Sequence, residues 1–239
     1  MTALTKISVN NQLLDKLPAS ERYAFMTACE TVELTFDEVL VEPAERITHV
    51  YFPLEGFISL IVILDDGNRL EVAMAGREGM MGISLVLDLE IEEAPLSALV
   101  QGAGSALRME AASFQQLLLN SPVLHHRMKR YLYVMMNQFA RSAACNHFHQ
   151  VEARLSRWLL MTQDRANSDR LQLTHEFLAM MLGVRRAGIT LAAIALQTRG
   201  LIRYSRGEIM VLDRPGLIEA SCGCYAADRA LYAKMLTAS

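Results

Sequence analysis

Apolar and polar positions divide the chain into stretches with different periods. Residues 10–30 mix Leu13, Leu14 and Leu17 with Lys, Ser, Glu and Arg and predict short helices, Ser20 standing where an N-cap is wanted after Pro18. From about Val32 to Met109 the pattern becomes short apolar runs broken by turn residues. Ile47–Phe52 reads as a strand that ends at Pro53. Phe57–Leu64, the turn Asp65-Asp66-Gly67-Asn68 and Leu70–Ala75 read as a hairpin. Leu96–Gln101 and Ala106–Met109 are further strands. Many short strands at this spacing predict a sandwich, jelly roll or small barrel.

Helical spacing then returns. Ser121-Pro122 is an N-cap followed by proline at the first helical position. The pattern runs on to about Ala144 without Gly or Pro, roughly 35 Å of helix. Leu124, Met128, Tyr131, Met135, Gln138 and Ser142 form one stripe, and Leu132, Met136, Phe139 and Ala143 a second beside it. A helix with two adjoining stripes can pack on its own domain and on a partner at once; an ordinary buried helix reads the same way. A further helix over roughly Gln150–Thr162 puts Val151, Leu155, Trp158 and Leu159 on one face, and Asp164–Arg170 reads as a polar loop.

The block after this carries the most functional information. Thr174 can cap a helix beginning at His175, with Glu176 in its first turn. Counting His175 as the first residue of a two-helix unit, Ala179 falls fifth, where crossing helices need a small side chain. Gly183 falls ninth, where the turn needs a positive φ. Leu178, Leu182, Val184, Ile189 and Ala192 take the inward positions. All seven places fit a helix-turn-helix. The second helix is expected over Arg185–Thr198, stopping at Gly200. Its outward N-terminal residues are Arg185, Arg186, Ala187, Gly188 and Thr190. Arginine there can read guanine bidentately or pair with phosphate. Leu201–Tyr204, a turn at Ser205–Glu208 and Ile209–Leu212 predict a two-stranded wing, with Arg203 and Arg206 set to meet the DNA backbone.

Charge sharpens this picture. The 239 residues carry a net −3, but residues 1–149 hold 11 Lys and Arg against 18 Asp and Glu, whereas residues 150–239 hold 12 against 8. An acidic first part and a basic second part suggest separate tasks, the basic one suited to a phosphate-bearing partner. Hydrophobic residues at 52% and charged residues at 21% describe a globular chain. The longest largely apolar run, Phe57–Leu64, broken only by Ser59, is far too short for a membrane span. The first residues lack a signal segment, and Cys29, Cys145, Cys222 and Cys224 are too few and scattered for a disulfide framework, so a cytoplasmic protein is expected.

The order of parts and several local sequences together resemble the Crp/Fnr family of transcription regulators. The sequences are Val50-Tyr51-Phe52-Pro53-Leu54-Glu55-Gly56, Gly76-Arg77-Glu78-Gly79-Met80-Met81-Gly82, Val151-Glu152-Ala153-Arg154-Leu155 and Leu173–Ala179. The resemblance implies an α+β protein: a cyclic-nucleotide-binding-like β-roll (a jelly roll) at 1–120, a long dimerisation helix at 121–147, and a winged helix-turn-helix at 148–239. It implies no enzymatic activity and no cofactor. Its implied partners are double-stranded DNA, a second copy of the chain and RNA polymerase. The DNA-binding candidates are Thr174, Arg185, Arg186, Gly188, Thr190, Arg203 and Arg206. Glu78, Met81, Ile83, Leu96 and Ser97 are the candidates for an effector pocket.

Departures from the family pattern bear on ligand and operator. Relatives that bind cyclic AMP use a Gly-Glu and an Arg-Ser about eleven residues on. Matching Gly82 to that Gly puts Ile83 at the Glu position and Leu96 at the Arg position, leaving only Ser97. The loop between carries Asp88, Glu90, Glu92 and Glu93, which would repel a nucleotide, so an effector other than cyclic AMP is expected. The iron–sulfur branch needs thiolates clustered near the N-terminus, where only Cys29 lies. Cys145 and His149 share a helix face at i, i+4 but show no third ligand in sequence, so packing or a hydrogen bond is expected and no metal is assigned. Cys222 and Cys224 read as structural or surface residues, with a redox pair as the alternative. In the recognition helix Arg186 matches a family Arg, but Ala187 and Leu191 replace the usual Glu and second Arg, which implies a different operator.

Two other readings compete. A signalling or interaction adaptor could keep the scaffold without binding DNA, but it has no need of Arg185, Arg186, Arg203 and Arg206. A β-barrel enzyme would need a metal triad or acid–base pair, and the strand-rich segment holds a single histidine, His49.

Overall fold

The computed structural model describes residues 10–89 and 93–237. It is an α+β chain in two compact units. One takes in residues 10–59, 74–135 and 233–237; the other comprises Leu60–Ala73 and Met136–Tyr232.

The first unit opens with α1 (Gln12–Asp15) and α2 (Ala19–Thr27). The Asn11 side chain caps α1 by accepting from the Leu13 N–H at 3.1 Å. Ser20 does not cap α2: Pro18 holds the N-cap position and Ser20 lies inside the first turn. The ring fixes the backbone of Pro18, so the helix starts directly behind it.

The strands β1 (Glu30–Leu34), β2 (Val39–Val41), β3 (His49–Ile63), β4 (Arg69–Ala75) and β5 (Ser97–Glu110) make one sheet in the order β1-β5-β3-β4, with β2 also on β5. Both β1 and β2 run antiparallel to β5. Two expectations need correction. Pro53 does not end a strand; β3, 15 residues long, runs through it. An extended backbone accepts proline wherever no ladder bond needs its missing N–H. Leu96–Gln101 and Ala106–Met109 are likewise parts of one strand, β5. Glycines allow β3 and β5 to lie this close. A Cβ on Gly56, at φ +75, would run into the carbonyls of Gly102 and Ala103, and one on Gly104 into Glu55.

The Asp65–Asn68 turn forms as expected. The Asp66 carboxylate accepts from the Asn68 N–H at 3.0 Å, and the Leu64 N–H donates to the Asn68 carbonyl at 2.9 Å.

After β5 come α3 (Ala111–Asn120) and α4 (Pro122–Phe148). The Ser121 hydroxyl caps α4, accepting from the Leu124 N–H at 2.9 Å. Phe25 of α2, Phe52 of β3 and Phe114 of α3 meet edge to face, with centroids 5.0 and 6.0 Å apart. Such pairs add roughly 0.5–1.5 kcal/mol each beyond their area. Tyr131 of α4 is fully buried, and its hydroxyl donates to the Met80 carbonyl at 3.3 Å.

In the second unit α5 runs over Val151–Ala166, so the first residues of the expected polar loop are its last helical turn. Next come β6 (Arg170–Gln172), α6 (His175–Leu182), α7 (Arg186–Thr198), β7 (Ile202–Ser205), β8 (Glu208–Val211), α8 (Arg214–Ala220) and α9 (Cys224–Tyr232). The three short strands form a sheet in the order β6-β8-β7. The hairpin end Leu60–Ala73 belongs to this unit. Trp158 Nε1 of α5 donates to the Glu71 carboxylate at 2.8 Å, and the Ser142 hydroxyl of α4 to the Val72 carbonyl at 2.9 Å.

Candidate nucleic-acid interface

Helices α6 and α7 meet at 110°, within the range of a helix-turn-helix. The Thr174 hydroxyl accepts from the Phe177 N–H at 3.1 Å and so fixes the start of α6. Gly183 ends α6 at φ +59, with its N–H turned back to the Ala179 and Met180 carbonyls. A side chain there would meet both backbone strain and Leu70 Cδ1, 2.9 Å from the position of a Cβ. Leu178, Ala179, Leu182, Ile189 and Ala192 are buried as expected, and Val184 is half-buried.

The scaffold turns basic groups outward. Arg185 is the N-cap residue of α7 and Arg186 its first helical residue; both are exposed. Arg186 Nε lies 3.8 Å from the Glu176 carboxylate, with both side chains at least 70% exposed, so solvent screens the pair heavily. Gly188, two residues on, is half-buried beside Val151. The Thr190 hydroxyl donates to the Arg186 carbonyl at 3.1 Å, which leaves it little freedom to reach a base edge. Arg203 is exposed on β7. Arg206 sits at the β7–β8 turn with φ +50, next to Gly207 at φ +80. Two successive left-handed residues suit a tight hairpin and carry the Arg206 side chain at its tip.

His175 was not among the candidates, yet it joins three elements. Its ring stacks on Tyr204 of β7 at 4.1 Å, and its Nδ1 lies 3.0 Å from the Thr190 hydroxyl of α7. Burial, and secondly the Arg186 charge, hold its pKa below the ordinary value. A neutral ring thus ties the wing to the second helix. On the outward side of α7, Leu191 and Ile194 are 69% and 55% exposed. This leaves an apolar strip behind the two arginines.

The effector-pocket candidates lie in the first unit. Met81, Ile83 and Ser97 are buried, and Glu78 and Leu96 half-buried. Ile83 begins a short 3-10 helix, Ile83–Leu87, and Glu78 accepts from the Gly76 N–H at 3.2 Å. Of the acidic loop, Asp88 and Glu93 are exposed, while Glu90 and Glu92 lie outside the described residues.

Sequence reasoning also kept two cysteine-containing pairs apart that the fold joins. Cys145 of α4, His149 behind it, Cys222 before α9 and Cys224 at its start offer ligand atoms all within 4.8 Å of one another. The hydrogen bond from Cys145 lowers the pKa of Cys222 and burial opposes it, while the same bond and burial raise that of Cys145.

Residues 153–220 match the family model described as a Crp-like helix-turn-helix domain. Among curated proteins none matches the sequence. Solved structures of similar fold include a transcriptional regulator of the Crp/Fnr family from Eubacterium rectale, described as putative, at 16% identity and TM-score 0.69, covering 88% of this chain and 98% of that one. A Crp/Fnr-family regulator from Thermus thermophilus is 21% identical with TM-score 0.65 over 80% and 98%. FixK2 from Bradyrhizobium japonicum is 16% identical with TM-score 0.67 over 81% and 98%. No single helix among the described residues is long and apolar enough to cross a membrane. With a Crp-like helix-turn-helix domain at residues 153–220, this chain has the fold of the Crp/Fnr transcription regulators.

Proposed function

We propose that the chain is a homodimeric, cytoplasmic regulator that binds a pseudo-palindromic site in double-stranded DNA through α7, with RNA polymerase as a further partner. The observation that carries this reading is the exposure of Arg185 and Arg186 at the start of α7, together with Arg203 and Arg206 on the wing. The N-terminus of a helix adds its partial positive charge to theirs, so this end of α7 suits a polyanion. Arg186 is the base-reading residue; Arg185, Arg203 and Arg206 hold phosphates, and Thr174, Gly188 and Thr190 shape the surface between them. The second stripe of α4, half-buried at Leu132 and Phe139 and 59% exposed at Met136, supports a dimer face. The effector acts through the first unit and is not cyclic AMP, because Ile83 and Leu96 stand where that ligand needs a carboxylate and a guanidinium.

Selection of bound DNA from a random pool by the purified protein tests the reading. A pseudo-palindrome with half-site centres about 34 Å, one helical turn, apart is expected. Recovery of no preferred sequence, with binding no tighter than that of an acidic protein of equal size, would overturn it and favour an adaptor.

A further inference from the structure

Four metal-ligating groups, three thiols and an imidazole, converge in the second unit, and none is among the DNA-binding candidates. Cys145 is in the last turn of α4, and His149 directly follows that helix, its N–H donating to the Cys145 carbonyl at 3.1 Å. Cys222 lies in the α8–α9 connection and Cys224 is the first residue of α9. Cys145 and Cys222 are buried; neither Cys224 nor His149 is. The Sγ atoms of Cys145 and Cys222 are 3.5 Å apart, and Cys224 Sγ is 3.7 Å from His149 Nδ1.

These separations match the edges of a tetrahedral site. With Zn–S about 2.3 Å and Zn–N about 2.0–2.1 Å, neighbouring ligand atoms stand roughly 3.5–3.8 Å apart. A disulfide would instead bring two sulfurs to about 2.05 Å. Charge is also provided for. Zinc with three thiolates and a neutral imidazole carries one negative charge. Arg154 interacts electrostatically with Cys145 and Cys222, and Arg157 with Cys145 and Cys224. Thiolates select thiophilic metals, and three sulfurs with one nitrogen in a tetrahedral set fit zinc. Four protein ligands fill the coordination shell, as in structural rather than catalytic sites.

We propose that Cys145, His149, Cys222 and Cys224 bind one zinc ion, which pins the α8–α9 connection to the end of α4. The site cross-links segments 77 residues apart in sequence, Cys145 and Cys222. Its metal is therefore bound only by the folded unit and contributes to that unit's stability. The proposal is independent of the DNA-binding reading.

The test uses the full chain, purified under reducing conditions, stripped with a chelator and reloaded with zinc or cobalt(II). One zinc per chain is expected, with a sulfur-rich X-ray absorption signature and, for cobalt, the visible bands of a tetrahedral thiolate site. His149→Ala and Cys224→Ser, at the less buried positions, should each weaken zinc retention at least tenfold, whereas Cys29→Ser should leave it unchanged. Cobalt loading of the wild-type chain needs no variant and so stands even where a substitution unfolds the protein. Failure of the wild-type chain to take up zinc or cobalt would overturn the proposal. So would zinc retention unaffected by Cys224→Ser, or peptide mapping that finds Cys145 and Cys222 disulfide-linked in protein alkylated directly on lysis.

Discussion

Arg157 and Asp228 form an ion pair inside the second unit, Nη2 to Oδ2 at 2.8 Å, with each side chain at most 10% exposed. Arg141 approaches the same carboxylate at 3.0 Å, so one acid on α9 holds a base from α4 and a base from α5. Burial works against the Arg157 charge, and the Asp228 carboxylate more than offsets it, leaving the guanidinium pKa above its ordinary value. Removing the acid leaves buried positive charge uncompensated. Asp228→Ala should cost about 3–5 kcal/mol, read from urea unfolding. Replacing Arg157 and Asp228 together with Met and Leu should cost less than Asp228→Ala alone. A single-variant loss below about 1 kcal/mol would contradict the pairing.

DNA contacts separate by role. Arg186→Ala should lose about 1–3 kcal/mol and relax preference at one position per half-site. Arg206→Ala should weaken all sequences alike and lower the salt slope by about one phosphate contact. Leu191, without a hydrogen-bonding group, should offer at most a thymine-methyl contact. Titrations of both arginine variants against the selected site and a scrambled one check this. Unchanged affinity and preference in Arg186→Ala would displace α7 from the reading role.

The two stripes on α4 differ in exposure. Met135 is completely buried within its own chain, so a charge there would damage the fold; its neighbour Met136 is 59% exposed. Met136→Lys should therefore convert a dimer to monomers without loss of helicity. Sedimentation of wild-type and variant chains at micromolar concentration measures this, and a monomeric wild-type chain would refute the dimer.

The contact between His175 and Thr190 should respond to pH. Folding favours the neutral ring, so the unfolded chain takes up the proton first as pH falls. The stability this group contributes is intact above its ordinary pKa of 6.5 and is lost as pH drops below that value. The stability advantage of wild type over His175→Gln should shrink between about pH 7.5 and about pH 5. A difference constant across that range would remove His175 from the account.

Cyclic AMP should produce neither heat in calorimetry nor a shift in thermal unfolding. Ile83 is only 8% exposed and has no charge to set against a cyclic phosphate. A micromolar dissociation constant would overturn the assignment of Ile83 and Leu96.

What could be read in the sequence was what short-range geometry dictates. Thr174, Ala179 and Gly183 obey rules set within ten residues of one another, so the helix-turn-helix was legible together with its exposed arginines. The Asp65–Asn68 turn was legible for the same reason. Pro53 misled because the strand rule depends on whether a ladder partner needs that N–H, which only the neighbouring strand decides. Strand β6 is three residues long and exists by pairing with β8, about 40 residues away, so no local period announced it. The cluster of three thiols and an imidazole was hidden for the same reason, as two unremarkable pairs until α9 folded back beside α4. His175 escaped because a helix-capping pattern says nothing about stacking on Tyr204.

The bond from Trp158 to Glu71 gives the molecule a built-in optical reporter. Trp158 is the chain's one tryptophan, 5% exposed, and its ring nitrogen is held by the end of the β3–β4 hairpin. Tryptophan emission, excited selectively over the seven tyrosines, therefore comes from this single junction, with no label and no competing indole. Any event that parts the hairpin from α5 admits water to the ring and shifts its emission to the red. Events confined to the wing or the Phe25–Phe52 cluster leave the spectrum unaltered. Ligands and solution conditions that act on this junction can thus be followed on the unmodified chain, with no DNA site needed for the readout.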